Sequence, residues 1–332
     1  MAASATVTAP RVSVLMLAWK AEATIVEALQ GALAQTVPCE ILCSDDASPD
    51  AGFERAAAFL AGSPPMAAAH TVRLLRQPVN LGLTAHLNRL LAEAGGELIV
   101  VMAADDISLP ERVATLLTAF DADPGAFVAG SAWRAFGDGR PERVERTRLP
   151  ARFGLADFVA SGGMSTLLGA TLAFRRELVE RFGPLAGHVE DNVLSLRGAL
   201  LGGGLNLPQP LVRYRRSPDS LGQWLFARGE VGPAARERRY RRTIAMYRAV
   251  AADLAACLDR AGRPADPRVA RAATDIIAMY RIEADARETL LERPRREWLA
   301  PILAGLRQRG LRRKSAERAL KLLLPRRWLR LG

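Results

Sequence analysis

Hydrophobic positions fall in two rhythms along the chain, and the rhythm changes once. Short apolar runs alternate with helical stretches through the first two thirds. Val12–Ala18 (VSVLMLA), Glu40–Ser44, Val72–Arg76, Glu97–Met102 and Ala126–Ala132 predict strands, being short, apolar and partly β-branched. Between them, Ala23–Leu33, Gly52–Leu60, Thr84–Ala94 and Pro110–Phe120 have helical spacing, the last with Pro at its first position. Gly169–Phe174 and Leu207–Tyr214 predict two further strands, and Arg176–Phe182 and Val189–Leu201 two helices. Residues 137–165, rich in Gly and Pro, predict loops. Alternation of this kind predicts a parallel, doubly wound α/β sheet, in which ligands bind beyond the carboxyl ends of the strands.

From about residue 223 strand signals stop. Helices are predicted over about 236–260, 266–292, 296–309 and 311–324, punctuated by Pro264, Pro267, Pro294 and Pro325. The chain therefore divides at 222 into an α/β part (1–222) and a helical part (223–332). The charge divides at the same place. The net charge of +11 over 332 residues is the sum of −3 for residues 1–222 and +14 for residues 223–332. A polyanionic partner suggested by the total thus concerns the C-terminal part alone. Scarce aromatic residues and the lack of a recognised module there argue against nucleic acid.

Three cysteines (Cys39, Cys43, Cys257) make neither a disulfide framework nor a zinc set, which fits a reducing compartment. The N-terminal residues have neither the basic nor the apolar region of a signal peptide. The longest strongly apolar run, Leu98–Ala104, is far short of a bilayer span. A cytoplasmic protein, soluble or peripheral to a membrane, is expected.

Three acidic pairs carry the candidate chemistry. Asp45-Asp46 ends the second strand, where a carboxylate can accept from a nucleobase N–H or ribose hydroxyls; the alternative is an Asx turn or helix cap. Asp105-Asp106 follows the apolar run ELIVVM. Paired carboxylates there suit Mg²⁺ or Mn²⁺, which prefer oxygen ligands and often bridge to phosphates; the alternative is again a cap. Glu190-Asp191 opens a helix. It offers a general base, although acids in a first turn also serve the helix dipole alone. Arg215-Arg216, after a closing apolar run, can hold a diphosphate or stand in solvent. His70, His86 and His188 point to no site of their own.

In order and spacing, these segments resemble the inverting family 2 glycosyltransferases of nonprocessive bacterial type, over about Val12 to Gly222. CSDDASPD resembles the family's nucleotide-binding turn, and NLGLTAHLNRLL (with Asn80, Gly82 and Asn88) the segment before its metal site. AADDISLPERV resembles the metal motif, EDNVLSLRG the catalytic-base motif and QPLVRYR the closing strand. The resemblance implies a GT-A (Rossmann-like) doubly wound mixed sheet with a basic helical extension. It also implies a nucleoside-diphosphate sugar donor, a saccharide or lipid-linked acceptor, and a role in cell-surface polysaccharide synthesis. Asp46 and Asp45 would then meet the base, with Asn80, Gly82, Asp106 and Arg215 also lining the donor site. Asp105 would bind the metal, and Asp191, supported by Glu190, would be the general base.

The departures are local. Ala103 stands where the metal motif has its first Asp, Trp19-Lys20 replaces a Tyr-Asn pair, and Ser217 stands where many members have His. The Gln-any-any-Arg-Trp motif of processive members is absent. The first and third departures keep alive a degenerate nucleotide-sugar-binding protein without turnover. A nucleotidyltransferase is the other alternative, weakened by the absence of a Gly-rich basic loop after the first strand. At the C-terminus, LRRKSAERALKLLL is expected to gather Ala316, Leu320, Leu323 and Leu324 on one side. Arg313, Lys314, Glu317, Arg318 and Lys321 are expected opposite, as in a helix lying on an anionic membrane surface. The competing expectation is that the apolar side packs on the protein.

Overall fold

The computed structural model describes residues 10–63, 69–162, 166–187, 189–217, 232–262, 264 and 266–323. The predicted boundary at 222, His188 and Leu324 lie outside them.

The α/β part is built on one ten-stranded sheet, with the order β3-β2-β1-β4-β9-β6-β10-β5 and two short strands off this path. Strands β1 (Val12–Ala18), β2 (Glu40–Asp45), β3 (Thr71–Arg76) and β4 (Leu98–Ala103) are mutually parallel. β1 and β2 are buried along their whole length, which suits the apolar run of β1 and the apolar centre, Ile41–Cys43, of β2. The crossover helices are α1 (Ile25–Leu33), α2 (Gly52–Ala61) and α3 (Leu83–Glu93). Next come β5 (Ile107–Ser108), α4 (Arg112–Ala122) and β6 (Val128–Phe136).

The sheet is mixed, as the resemblance implied, and departs from the all-parallel arrangement predicted by alternation. β9 (Ala173–Arg175) runs antiparallel to both β4 and β6. It is entered from the turn at Gly169–Thr171, after only the six-residue helix Leu155–Ala160, and not through the long crossover that a parallel strand requires. The region predicted as loop contains β7 (Arg143–Glu145), β8 (Arg152–Phe153) and α5 (Leu155–Ala160). Elements this short carry too few residues for a period to register. After α6 (Glu177–Phe182) and α7 (Glu190–Leu201), the long β10 (Gly204–Arg215) runs parallel to β6 and antiparallel to β5 and β8.

The C-terminal part starts with two long helices, α8 (Pro233–Ala261) and α9 (Pro267–Glu292), each with Pro in its first turn. Asp266 caps α9, its carboxylate accepting from Arg268 N at 2.8 Å. One apolar core runs through Phe158, Leu194 and Leu196 of the α/β part into Val250, Leu254, Ile276 and Tyr280 of this helical layer. α10 (Leu299–Arg307) and α11 (Arg312–Leu323) complete it, each entered through a 3₁₀ turn.

The face expected for the last helix is rotated. Leu311 and, within α11, Ser315 are fully buried and Arg318 is partly buried, whereas Ala316 and Leu320 are exposed. The cause is electrostatic. Glu283 of α9 has no exposed surface, and Arg287 (2.7 Å) and Arg318 (2.9 Å) neutralise it. A buried carboxylate needs a partner more than an alanine needs cover, so it fixes the rotation of α11.

Candidate functional site

All three acidic pairs lie at rims where strands or turns end, but they differ in what surrounds them. Asp45 is buried at the end of β2. Its Oδ2 accepts from Ser48 N at 2.9 Å and sits 3.6 Å from Arg76 Nε. Asp46 is committed to the chain itself. Its Oδ1 accepts from Leu81 N (2.8 Å) and its Oδ2 from Gly82 N (2.9 Å), while Asn80 Nδ2 donates to its carbonyl (3.0 Å). Asp46, Asn80 and Gly82 are thus brought together as one clasp. Gly82 enters α3 at φ 75°, in the left-handed region that favours glycine.

Two non-glycine residues adopt left-handed backbone at the same rim: Lys20 after β1 (φ 53°) and Ala47 after β2 (φ 54°). Lys20 N donates to Ser48 Oγ at 2.9 Å, tying the two turns together. Strain of this kind concentrates at binding rims, and no sequence pattern marks it.

Asp105 and Asp106 follow β4. Arg215, at the end of β10, holds them in place. Its N–H donates to Asp106 Oδ1 (2.7 Å), its Nε to the Asp105 carbonyl (2.9 Å) and its Nη2 to Glu27. Asp106 Oδ2 is buried with no hydrogen-bond partner among the described residues. Burial, reinforced by the neighbouring Asp105, pushes the Asp106 carboxyl up to about 8; burial also raises Asp105. A pair of acids at a rim whose charge Arg112 and Arg215 offset only in part is what a cation relieves.

Behind the pair lies Arg112, fully buried in the first turn of α4. It donates to Ser108 Oγ (2.9 Å) and to the carbonyls of Val101 (2.8 Å) and Ala170 (3.0 Å). Burial lowers its guanidinium to about 10, against the opposing pull of Asp106. A lone arginine in the apolar run after Pro110 is its only trace in the sequence.

The Ala170 carbonyl belongs to the turn that meets the third pair. A Cβ placed on Gly169 would fall 2.5 Å from Glu190 Oε1 and 3.9 Å from Asp191 Cβ, so only glycine lets the turn approach. Glu190 is buried and its Oε2 has no partner among the described residues. Burial first, and Asp191 second, push it up to about 8; burial raises Asp191 to about 6. Asn192 N donates to Asp191 Oδ1 at 2.7 Å, and Asn192 Nδ2 donates to the Tyr280 hydroxyl at 3.0 Å. The helical layer therefore reaches the third acidic pair, a contact the sequence did not announce. Arg216 is engaged elsewhere, with Asp138 (2.9 Å) and Glu145 (3.0 Å). His86 is buried against Ser44 Oγ at 2.7 Å.

No group of three or more His, Cys, Asp or Glu side chains forms a metal cage among the described residues. Ala103, at the end of β4, supplies no oxygen. The partly exposed Asp105 and the unpartnered Asp106 Oδ2 nevertheless match a cation that keeps waters and takes further oxygens from a phosphate.

The profile of glycosyl transferase family 2 matches residues 13–183, just over half of the chain, and spans the Asp45-Asp46 turn, the Asp105-Asp106 pair and the Gly169 turn. The chain belongs to glycosyl transferase family 2. Among its family relatives, the putative glycosyltransferase EpsE of Bacillus subtilis is 32 % identical over 108 residues, covering 31 % of this chain and 36 % of EpsE. The amylovoran biosynthesis glycosyltransferase AmsE of Erwinia amylovora is 29 % identical over 159 residues, covering 46 % and 58 % respectively. The matches thus span between a third and somewhat over half of those relatives. The fold is shared more widely. S. aureus TarS 1-349, solved in complex with UDP-GlcNAc, superposes with a TM-score of 0.59 at 16 % identity over 91 % of this chain and 81 % of TarS. The mannosyltransferase PcManGT from Pyrobaculum calidifontis, solved with GDP-Man and Mn²⁺, gives 0.52 at 18 % identity over 94 % and 85 %. This family 2 chain has the GT-A architecture through its sheet and a helical layer behind it.

Proposed function

We infer that this protein transfers a sugar from a nucleoside-diphosphate sugar to a hydroxyl acceptor with inversion, in cell-surface polysaccharide synthesis. One observation carries the reading: the turn at Gly169–Thr171 meets the Glu190-Asp191 pair directly and the Asp105-Asp106 pair through Arg112. Its Ala170 carbonyl accepts from the arginine behind Asp106, and its Gly169 leans on Glu190. This link supports reading the two pairs as the donor-side and acceptor-side acids of one site.

In this reading Asp45 faces the nucleobase, while Asp46 shapes that pocket by holding Asn80 and Gly82. Asp105, with Asp106 beside it, would hold Mg²⁺ or Mn²⁺. The cation supplies charge neutralisation on the departing diphosphate when bound. Arg215 would bind the diphosphate once its pair with Glu27 opens. The Asp191 carboxylate takes the proton of the acceptor hydroxyl. That oxygen forms a bond to the anomeric carbon as the bond to the diphosphate oxygen breaks, and the electron pair leaves with the diphosphate. One displacement from the opposite face inverts the centre. Glu190, kept protonated by burial, leaves Asp191 as the base of the pair. The acceptor is a saccharide or a lipid-linked glycan, met peripherally at the inner face of the cell membrane. No described helix is long and apolar enough to cross a membrane.

The test is a thermal-shift screen of UDP-, GDP- and dTDP-sugars with Mn²⁺, since a ligand of the folded state raises the melting temperature. One donor class should raise it, and Asp105→Asn should remove the Mn²⁺-dependent part. Asp191→Asn should keep the shift and lose transfer by at least about a hundredfold. Undiminished turnover in Asp191→Asn would refute the assignment.

A further inference from the structure

α10 keeps an apolar stripe in solvent. Leu299, Leu303 and Leu306 recur at helical spacing along one side and are 51 %, 52 % and 37 % exposed, while Ile302 and Gly305 on the other side are buried. The inward side is filled: a Cβ at Gly305 would run into Ser315 of α11 and meet Ile282 of α9. Among the described residues the outward side has no such cover. Cations flank it. Arg307 is exposed one position beyond Leu306, Arg312 Nε donates to the Leu306 carbonyl at 3.3 Å, and the exposed Arg313 next in sequence pairs with Glu317 at 3.1 Å.

We propose that this stripe, rather than the apolar edge of the last helix, docks the protein on an anionic lipid bilayer, with α10 lying in the interface. Three leucines in a row suit the acyl boundary, and adjacent arginines suit lipid phosphates. The excess of positive charge beyond residue 222 matches that partner. The hairpin is also well placed for it. A Cβ at Gly310, between α10 and α11, would fall 2.7 Å from the Val159 carbonyl of α5 and 3.1 Å from Gly162 Cα. A bilayer contact through α10 would thus be tied to the α/β part through α5. The inference rests on the peripheral location proposed above, but its test contains no sugar donor and is independent of turnover.

The full chain is sedimented with vesicles of phosphatidylcholine alone or mixed with phosphatidylglycerol, at low and raised salt. Binding is expected only to the mixed vesicles and should weaken with salt. Leu299→Ser/Leu303→Ser/Leu306→Ser and Arg307→Gln/Arg312→Gln/Arg313→Gln should each lower it about tenfold or more, with the melting temperature as the folding control. The single Leu303→Ser should show an intermediate loss. Equal binding to both vesicle types, or none to either, overturns the proposal. So does retained vesicle binding by the leucine variant, or a leucine variant that alters only self-association, which would assign the stripe to a second copy of the chain.

Discussion

Asp191 and Glu190 share a helix start yet have different surroundings, and this separates their expected behaviour. Asp191 is partly exposed, receives Asn192 N–H, and is raised to about 6. A base must be deprotonated, so transfer should rise with pH through about 6. Glu190 is buried and raised to about 8. A carboxyl raised in the folded state binds its proton more tightly there than in the unfolded chain. Its effect is thus absent below the ordinary carboxylate range and grows as a stability cost up to about pH 8. Glu190→Gln should raise the melting temperature by a few degrees at pH 8 and leave it unchanged near pH 4, measured by calorimetry at both. A variant that is destabilised at pH 8 would mean that Glu190 is ionised and partnered. The sequence exposed Glu190-Asp191 as the acidic first turn of a predicted helix, and the other two acidic pairs by their positions at the ends of predicted strands. It could not show that Asp46 is spent on Leu81 and Gly82, because backbone acceptance leaves no residue type behind.

Among the elements, β1 to β4 and the helices between them were legible because each is long enough to show its apolar run or helical period. β5, β7, β8 and α5 were not, since two to six residues carry no periodicity. Helix α11 shows a different limit: its pattern was read correctly but its rotation was set by Glu283, a residue of another helix. α9 reaches further than any pattern suggested, through Tyr280. Tyr280→Phe keeps the edge-to-face packing on Tyr247 (5.7 Å) and removes only the hydroxyl that accepts from Asn192. The expected result is a kcat about tenfold lower, or ~1.4 kcal/mol of barrier, with the donor KM unchanged. The rising pH limb should move upward, because a loosened Asn192 supports the ionised Asp191 less. A lower melting temperature with an unmoved limb would reduce Tyr280 to a packing role.

For the whole molecule, the α/β part and the helical layer are joined by a buried ion pair as well as by the shared core. Arg197 of α7 donates to Asp253 of α8 at 2.6 and 3.0 Å and to the carbonyls of Gly183 (2.7 Å) and Pro184 (3.0 Å). Asp253→Ala would strand a buried guanidinium, at a cost of about 3–5 kcal/mol. Thermal melts should show a large fall, with much of it restored in Arg197→Met/Asp253→Leu, where an apolar pair replaces the ionic one. A small effect of the single variant would mean water reaches the pair. The composition change near residue 222 marked where one kind of sequence gives way to another. It carried no sign of Arg197 and Asp253, which lie 56 positions apart in the chain.

The antiparallel β9 at the centre of the sheet has a consequence for synthesis. β4 ends at Ala103, and the strand that hydrogen-bonds its far side begins only at Ala173. At 5–20 residues per second, a ribosome needs roughly 4–14 s to supply it. Throughout that interval the nascent β1–β4 unit presents LIVVMA as a bare, apolar sheet edge, the kind that pairs with a neighbour's. Yield in the cell should therefore depend on translation speed between codons 104 and 173 and on chaperones that cover that edge.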